Sequence, residues 1–127
     1  PGIPAAKARS GLNYLFDVFP TLCDLAGIAP PAGIDGRSFA GQMANASSRG
    51  RPELFFAYRH LQRGLRDDRF KLLLYPQSKT VQLFDLAADP LETMNLADVP
   101  EHRALAKSMT DRLRAAQRDW DDELPLD

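Results

Sequence analysis

Cysteine is almost missing: Cys23 is the single one, which excludes an internal disulfide and a cysteine-based zinc cluster and leaves the compartment open. Long apolar runs are missing too. No stretch approaches the roughly 18 residues that a membrane-spanning helix needs, and residues 1–4 have neither the basic start nor the apolar core of a signal peptide. There is no excess of charge of either sign, since 16 basic and 17 acidic residues leave a net charge of −1. That balance offers no footprint for nucleic acid or for an anionic membrane. No repeat of fixed period occurs. No methionine opens the chain either, and Pro1 sits in what reads as mid-sequence, so a cloned or processed piece of a longer protein is expected.

What is present suits a globular fold. Hydrophobic residues make up 44% and charged residues 26%, an ordinary mix. Residues 1–11 read as a leading loop, 12–15 as a short strand, and about 17–26 as a helix. Asp17 can cap that helix, Pro20 is tolerated in its first turn, and Gly27 is a natural stop. Residues 29–36 hold two prolines and two glycines and must form a loop. Ser38 is placed to cap a short helix over 39–44, and 45–52 is the most linker-like stretch. The natural division falls between 1–50 and 51–127.

The second half changes character. Strands are expected at about 53–58, 62–66, 69–75 and 81–86, with Asp67 and Asp68 in a turn. Asp98 with Glu101 forms a capping-box pattern ahead of a helix over about 99–120. Leu105, Met109, Leu113, Ala116 and Trp120 make one apolar stripe along it. The fold class is therefore α+β: a small antiparallel sheet of about four strands packed by a long C-terminal amphipathic helix. Both sheet faces carry apolar residues, Phe70, Leu72 and Leu74 on one and Leu73 and Tyr75 on the other, and one helix covers only one face. The first-half helix or a larger missing domain would supply the remainder.

Four segments resemble the carboxy-terminal region of arylsulfatase-like enzymes of the alkaline-phosphatase-like superfamily. Asp17, Pro20, Thr21, Ala26 and Gly27 match a D-x-x-P-T-x-x-x-x-A-G pattern, and Pro31 with Asp35, Gly36, Arg37 and Ser38 matches the P…DGRS loop after it. Arg63, Arg66, Arg69, Phe70, Lys71 and Leu72 are similar to the family's R-x-v-R-x-x-r-y-K-L hairpin. Leu83, Asp85, Leu86, Asp89, Pro90, Glu92, Asn95 and Leu96 resemble its L-y-D-L…D-P-x-E-x-x-N-L signature. Order and spacing agree over nearly the whole chain.

The resemblance implies that residues 1–50 end a larger sulfatase domain and 51–127 form its C-terminal subdomain. It implies a formylglycine nucleophile, made from Cys or Ser in a C/S-x-P/A-x-R motif, and a divalent cation, usually calcium, for the parent. Cys23 is followed by Leu25 and Gly27 where that motif needs Pro or Ala and Arg, and no serine fits it. No catalytic residue and no metal ligand is therefore assigned here. Cys23 is expected to be a buried helix residue. Asp85 and Asp89 are expected to bond local backbone, Arg37 to tie its loop to a carboxylate, and the acidic run 119–123 to be a solvated helix end. His60, Gln62 and Arg63 are the substrate-side candidates, because the resemblance puts that edge near the mouth of the active site; surface polar residues are the competing reading. The partner implied is the N-terminal catalytic domain of the same protein, without which the piece is expected to be inactive and prone to self-associate. The tail of a phosphonate or phosphate ester hydrolase and a stand-alone binding domain remain as alternatives.

Overall fold

A computed structural model describes residues 4–5, 7–45 and 47–126. The start of the leading loop, Ala6, Ala46 and Asp127 lie outside these. The chain forms two compact units, Pro1–Leu54 and Phe55–Asp127.

In the first unit, a single 3-10 turn at Leu15–Asp17 leads into helix α1, Val18–Ala26. Gly27 ends α1 at φ 69°, where its N–H and that of Ile28 donate to the Asp24 and Cys23 carbonyls. The strand expected at 12–15 shrinks to one antiparallel bridge, Leu12 to Arg51, because the 3-10 turn already starts at Leu15. Gly50 permits that bridge: a Cβ there would lie 2.5 Å from Leu12 N and 2.6 Å from Leu12 O. Helix α2, Ala40–Ala44, follows. Ser38 sits one residue ahead of its N-cap, Phe39, and the Ser38 hydroxyl accepts the Ala40 N–H at 3.2 Å.

The second unit is a meander of β1 (Leu54–Tyr58), β2 (Gln62–Arg66), β3 (Phe70–Tyr75) and β4 (Thr80–Asp85), in the spatial order β1-β2-β3-β4. Helix α3, Arg103–Asp119, follows a 3-10 turn at Pro100–His102. That turn displaces the expected capping box: Val99 becomes the N-cap position, and no side chain caps it.

Register fixes which residues share a face. Leu65, Leu72 and Leu83 stand side by side across β2, β3 and β4. With Leu74 they meet Met109, Leu113 and Ala116 of α3 in the core. The other face is closed as well. Leu73 and Phe84 are buried, and the Phe56 ring lies over Gly64 so closely that a Cβ would come within 2.0 Å of it. Lys71, on this face, pairs with Glu92 at 2.6 Å. The free edge of β4 is covered by its own chain: Asn95 Oδ1 accepts the Leu83 N–H at 2.9 Å, Asn95 Nδ2 donates to Val81 O, and the Leu96 N–H donates to Leu83 O. The D-P-x-E-x-x-N-L residues thus serve as an edge guard, which prevents unwanted strand pairing.

The unmet apolar demand lies on α1, not on the sheet. Pro20 and Thr21 are the buried residues of α1, whereas Leu15 is 88%, Phe19 52% and Leu22 59% exposed, with Leu25 and Ile28 also exposed. Cys23 is half-buried, not buried as expected, because α1 turns inward the edge that carries Pro20 and Thr21.

Candidate functional site

The three substrate-side candidates gather at the turn between β1 and β2, but their side chains diverge. His60 is exposed at the tip. Gln62 donates from Nε2 to the Tyr75 hydroxyl at 2.8 Å. Arg63, the next residue, emerges on the opposite sheet face, as strand alternation requires, and is buried. Its Nε and Nη2 grip the Asp122 carboxylate, the latter at 2.8 Å. Its Nη1 donates to the Arg59 and Gln62 carbonyls. Arg59 itself has a left-handed backbone, φ 49°, and its guanidinium lies 5.6 Å from the centre of the Tyr58 ring.

Asp122 corrects the expectation that the acidic run 119–123 is simply solvated. Asp119, Asp121 and Glu123 are exposed, but Asp122 is drawn in by Arg63 and also accepts Gln117 Nε2 at 3.1 Å. The Arg63 hydrogen bonds hold its pKa at about 2, below the ordinary 3.8, against the opposing effect of burial. A depressed carboxylate pKa adds stability that is complete above the unfolded value and is lost as pH falls through the folded one. Acid titration of the urea midpoint should therefore show a loss between pH of about 4 and about 2 that Asp122→Asn makes shallower.

In the first unit the motif residues form a second polar node. Asp17, fully buried, does not cap α1. Its carboxylate is instead taken by Arg51, through Nε at 2.9 Å and Nη2 at 2.6 Å, and by the N–H groups of Tyr14 and Arg37, each at 2.8 Å. Burial opposes its ionisation, but the Arg51, Arg37 and Tyr14 hydrogen bonds outweigh it and keep the pKa below the ordinary value. The Arg51 guanidinium also lies 4.8 Å from the Tyr14 ring centre. The 35–39 loop is pinned to α1 three times: Arg37 N–H to Asp17, Ser38 hydroxyl to Asp24 at 2.6 Å, and Phe39 N–H to the Thr21 hydroxyl at 3.0 Å. Arg37 does tie its loop to a carboxylate, through its backbone and not through its side chain. Gly36 lets the loop come this close, since a Cβ would lie 2.7 Å from Phe16 O and 3.0 Å from Pro20 Cγ. Gly36→Ala should lower the urea midpoint by an amount equivalent to about 1–3 kcal/mol.

Three further carboxylates, Asp67, Asp85 and Asp89, are engaged by the chain itself. Asp67 accepts the Arg69 and Phe70 N–H groups and Arg112 Nη1. Asp85 takes Arg69 and the N–H groups of Ala87 and Ala88. Asp89 takes the Met94 N–H and the Thr93 hydroxyl. Among the described residues no three His, Cys, Asp or Glu side chains come together to hold a metal ion. With neither such a ligand set nor a formylglycine motif, the described residues do not fit the cation or the nucleophile that the motifs imply.

Sequence reasoning missed Asp122 and Arg51. Their partners lie 59 and 34 residues away, beyond any local pattern.

The fold is that of the carboxy-terminal α+β region of alkaline-phosphatase-like hydrolases. A candidate sulfatase structure from Bacteroides thetaiotaomicron superposes on the whole chain at a TM-score of 0.84 and 28% identity, over 30% of its own length. The phosphonate monoester hydrolase of Agrobacterium radiobacter matches 79% of the chain at a TM-score of 0.58 and 27% identity, over 24% of its length. The chain belongs to the N-sulphoglucosamine sulphohydrolase C-terminal family, whose model matches residues 2–119. It is 32% identical to arylsulfatase K of Mus musculus over 91% of this chain and 23% of that protein. It is 35% identical to the Delta 4,5-hexuronate-2-O-sulfatase of Bacteroides thetaiotaomicron over 70% of this chain and 22% of that protein. The chain thus spans under a quarter of the curated relatives it matches.

Proposed function

We propose that the chain is the carboxy-terminal part of a sulfuric ester hydrolase, completing its fold and lending substrate-side surface. The observation that carries this is the reversed polarity of α1. Its polar edge is satisfied internally through Asp17, Thr21 and Asp24, while Leu15, Val18, Phe19, Leu22 and Leu25 face outward. A contiguous apolar face on a soluble unit marks a surface that something covers. The rest of the same polypeptide is that cover, and it also carries the formylglycine and the divalent cation, calcium by resemblance. The β1–β2 turn meets the organic part of the substrate, with His60 presented directly and Gln62 and Arg63 shaping the strand behind it. A sulfated sugar fits this edge, because Tyr58 offers a ring face and Arg59 and His60 offer donors to anionic oxygens. The hexuronate sulfatase among the relatives supports that substrate class.

Sulfate release from 4-nitrophenyl sulfate and from a 2-O-sulfated unsaturated hexuronate disaccharide tests the proposal. The full-length protein should hydrolyse them, and the 127-residue chain alone should hydrolyse neither and should self-associate on size-exclusion chromatography. Full-length protein that releases 4-nitrophenol from the monoester 4-nitrophenyl phenylphosphonate and spares both sulfates would favour the tail of a phosphonate ester hydrolase, which the phosphonate monoester hydrolase likeness supports. Turnover by the chain alone would contradict both.

A further inference from the structure

We infer that Arg63 and Asp122 are positioning residues, a clamp that sets the conformation of the 58–61 turn and through it the ligand-facing geometry of Arg59 and His60. This rests on the substrate-side reading of that turn. Three observations meet here. First, Arg59 is one of four non-glycine residues with positive φ among the described residues, a conformation that persists only where its surroundings enforce it. Second, the enforcing contact is visible: Arg63 Nη1 donates to the carbonyl of Arg59 itself, while Leu61 N–H closes the turn on Tyr58 O at 3.1 Å. Third, Arg63 has no slack. Nε and Nη2 are fixed on Asp122, and the Asp122 carboxylate is held in turn by Gln117 Nε2 and the Leu124 N–H.

The clamp therefore couples the chain's last turns to a loop far away in sequence. A surface ion pair would leave its cation free to swing. Here the Arg63 side chain is 7% and the Asp122 side chain 16% exposed, and bidentate geometry fixes the guanidinium plane. That plane aims the remaining nitrogen at the turn. Tyr58, Arg59, His60 and Leu61 are exposed around it, so the residue held in the costly conformation lies among side chains free to meet a ligand. A turn needed only to connect two strands has no use for a buried guanidinium on a left-handed residue.

The test uses the full-length protein with Asp122→Asn, which is isosteric, and Arg63→Lys, which keeps the charge but loses the planar fork. Both should speed hydrogen exchange at the Leu61 amide at least tenfold. Both should also raise KM for the 2-O-sulfated hexuronate disaccharide about tenfold, with kcat within twofold and KM for 4-nitrophenyl sulfate unchanged. In an Arg59→Ala, His60→Ala background, Asp122→Asn should add less than a twofold rise in KM, because it acts through those two side chains. Unchanged exchange at Leu61 would overturn the clamp whatever the kinetics. Faster exchange with a full tenfold KM effect persisting in that background would overturn the positioning role. If Arg59→Ala, His60→Ala leaves the disaccharide KM untouched, the substrate-side reading fails, and the exchange data alone then decide whether the clamp holds the turn.

Discussion

Replacing Arg51 with methionine should lower the stability of the first unit by about 3–5 kcal/mol, the usual cost of leaving a buried charge without its partner. Asp17 would keep two backbone donors, the Tyr14 and Arg37 N–H groups, but lose both guanidinium bonds and the only charge that offsets its burial among its bonded partners. The carboxylate would then have to protonate or drag water in. Either outcome loosens the 35–39 loop, because Arg37 is tied to the same oxygens. The stacking of Arg51 near Tyr14 and Phe16 would go as well. Amide exchange along α1 reads this directly and should accelerate in Arg51→Met while the amides of β2 and β3 stay as slow as before. Replacing both Asp17 and Arg51 with apolar residues should cost less than Arg51→Met alone, since no orphan charge remains.

Leu72→Ala should cost about 2–5 kcal/mol in the second unit. Leu72 is wholly buried between Leu65 and Leu83, and it shares a core with Met109 and Leu113 of α3. Backbone pairing holds the strands at a fixed spacing, so the neighbours cannot close over the missing side chain. The urea midpoint of the chain should fall with the slope unchanged. Leu73→Ala on the other face should cost less, because its cross-strand neighbours are Gly64 and the polar Gln82.

The sheet and the last helix were legible in the sequence for a local reason. The apolar run in 69–75 and the three-to-four spacing from Leu105 to Ala116 each report on one element alone; the structure returns the strand within a residue as β3, and the helix expected over about 99–120 as α3, which ends one residue early and starts four residues late. Capping was misjudged wherever a distant or rigid group competed. Asp17 has the right chemistry for an N-cap, yet an arginine 34 residues on claims its carboxylate. Asp98 and Glu101 have the right spacing, yet Pro100 opens a 3-10 turn that moves the helix start past them. Cys23 was expected inside because its neighbours are apolar, which assumes that apolar helix faces turn inward. Here the apolar face of α1 is exposed, and the periodicity of a helix does not tell which of its faces is covered.

That His60, Gln62 and Arg63 lie at the β1–β2 connection was legible, but how each side chain is engaged was not. Motif order drew notice to His60, Gln62 and Arg63, yet nothing in the sequence separates a side chain aimed at solvent from one buried on Asp122. The same applies to the four family signatures. Their polar residues turn out to be devices of local architecture: Asn95 guards the β4 edge, Lys71 and Glu92 cross the outer sheet face, and Asp85 closes the turn after β4. The match in motifs therefore reports the fold and not the chemistry.

Hydroxyl-radical footprinting of Leu15, Phe19, Leu22 and Leu25, carried out on the 127-residue chain and on the full-length protein, meets the central claim most directly. The four side chains should react freely in the chain alone and be protected at least tenfold in the full-length protein. Equal reactivity in both would mean that nothing covers α1, and the account of this chain as the completing part of a larger hydrolase would be wrong.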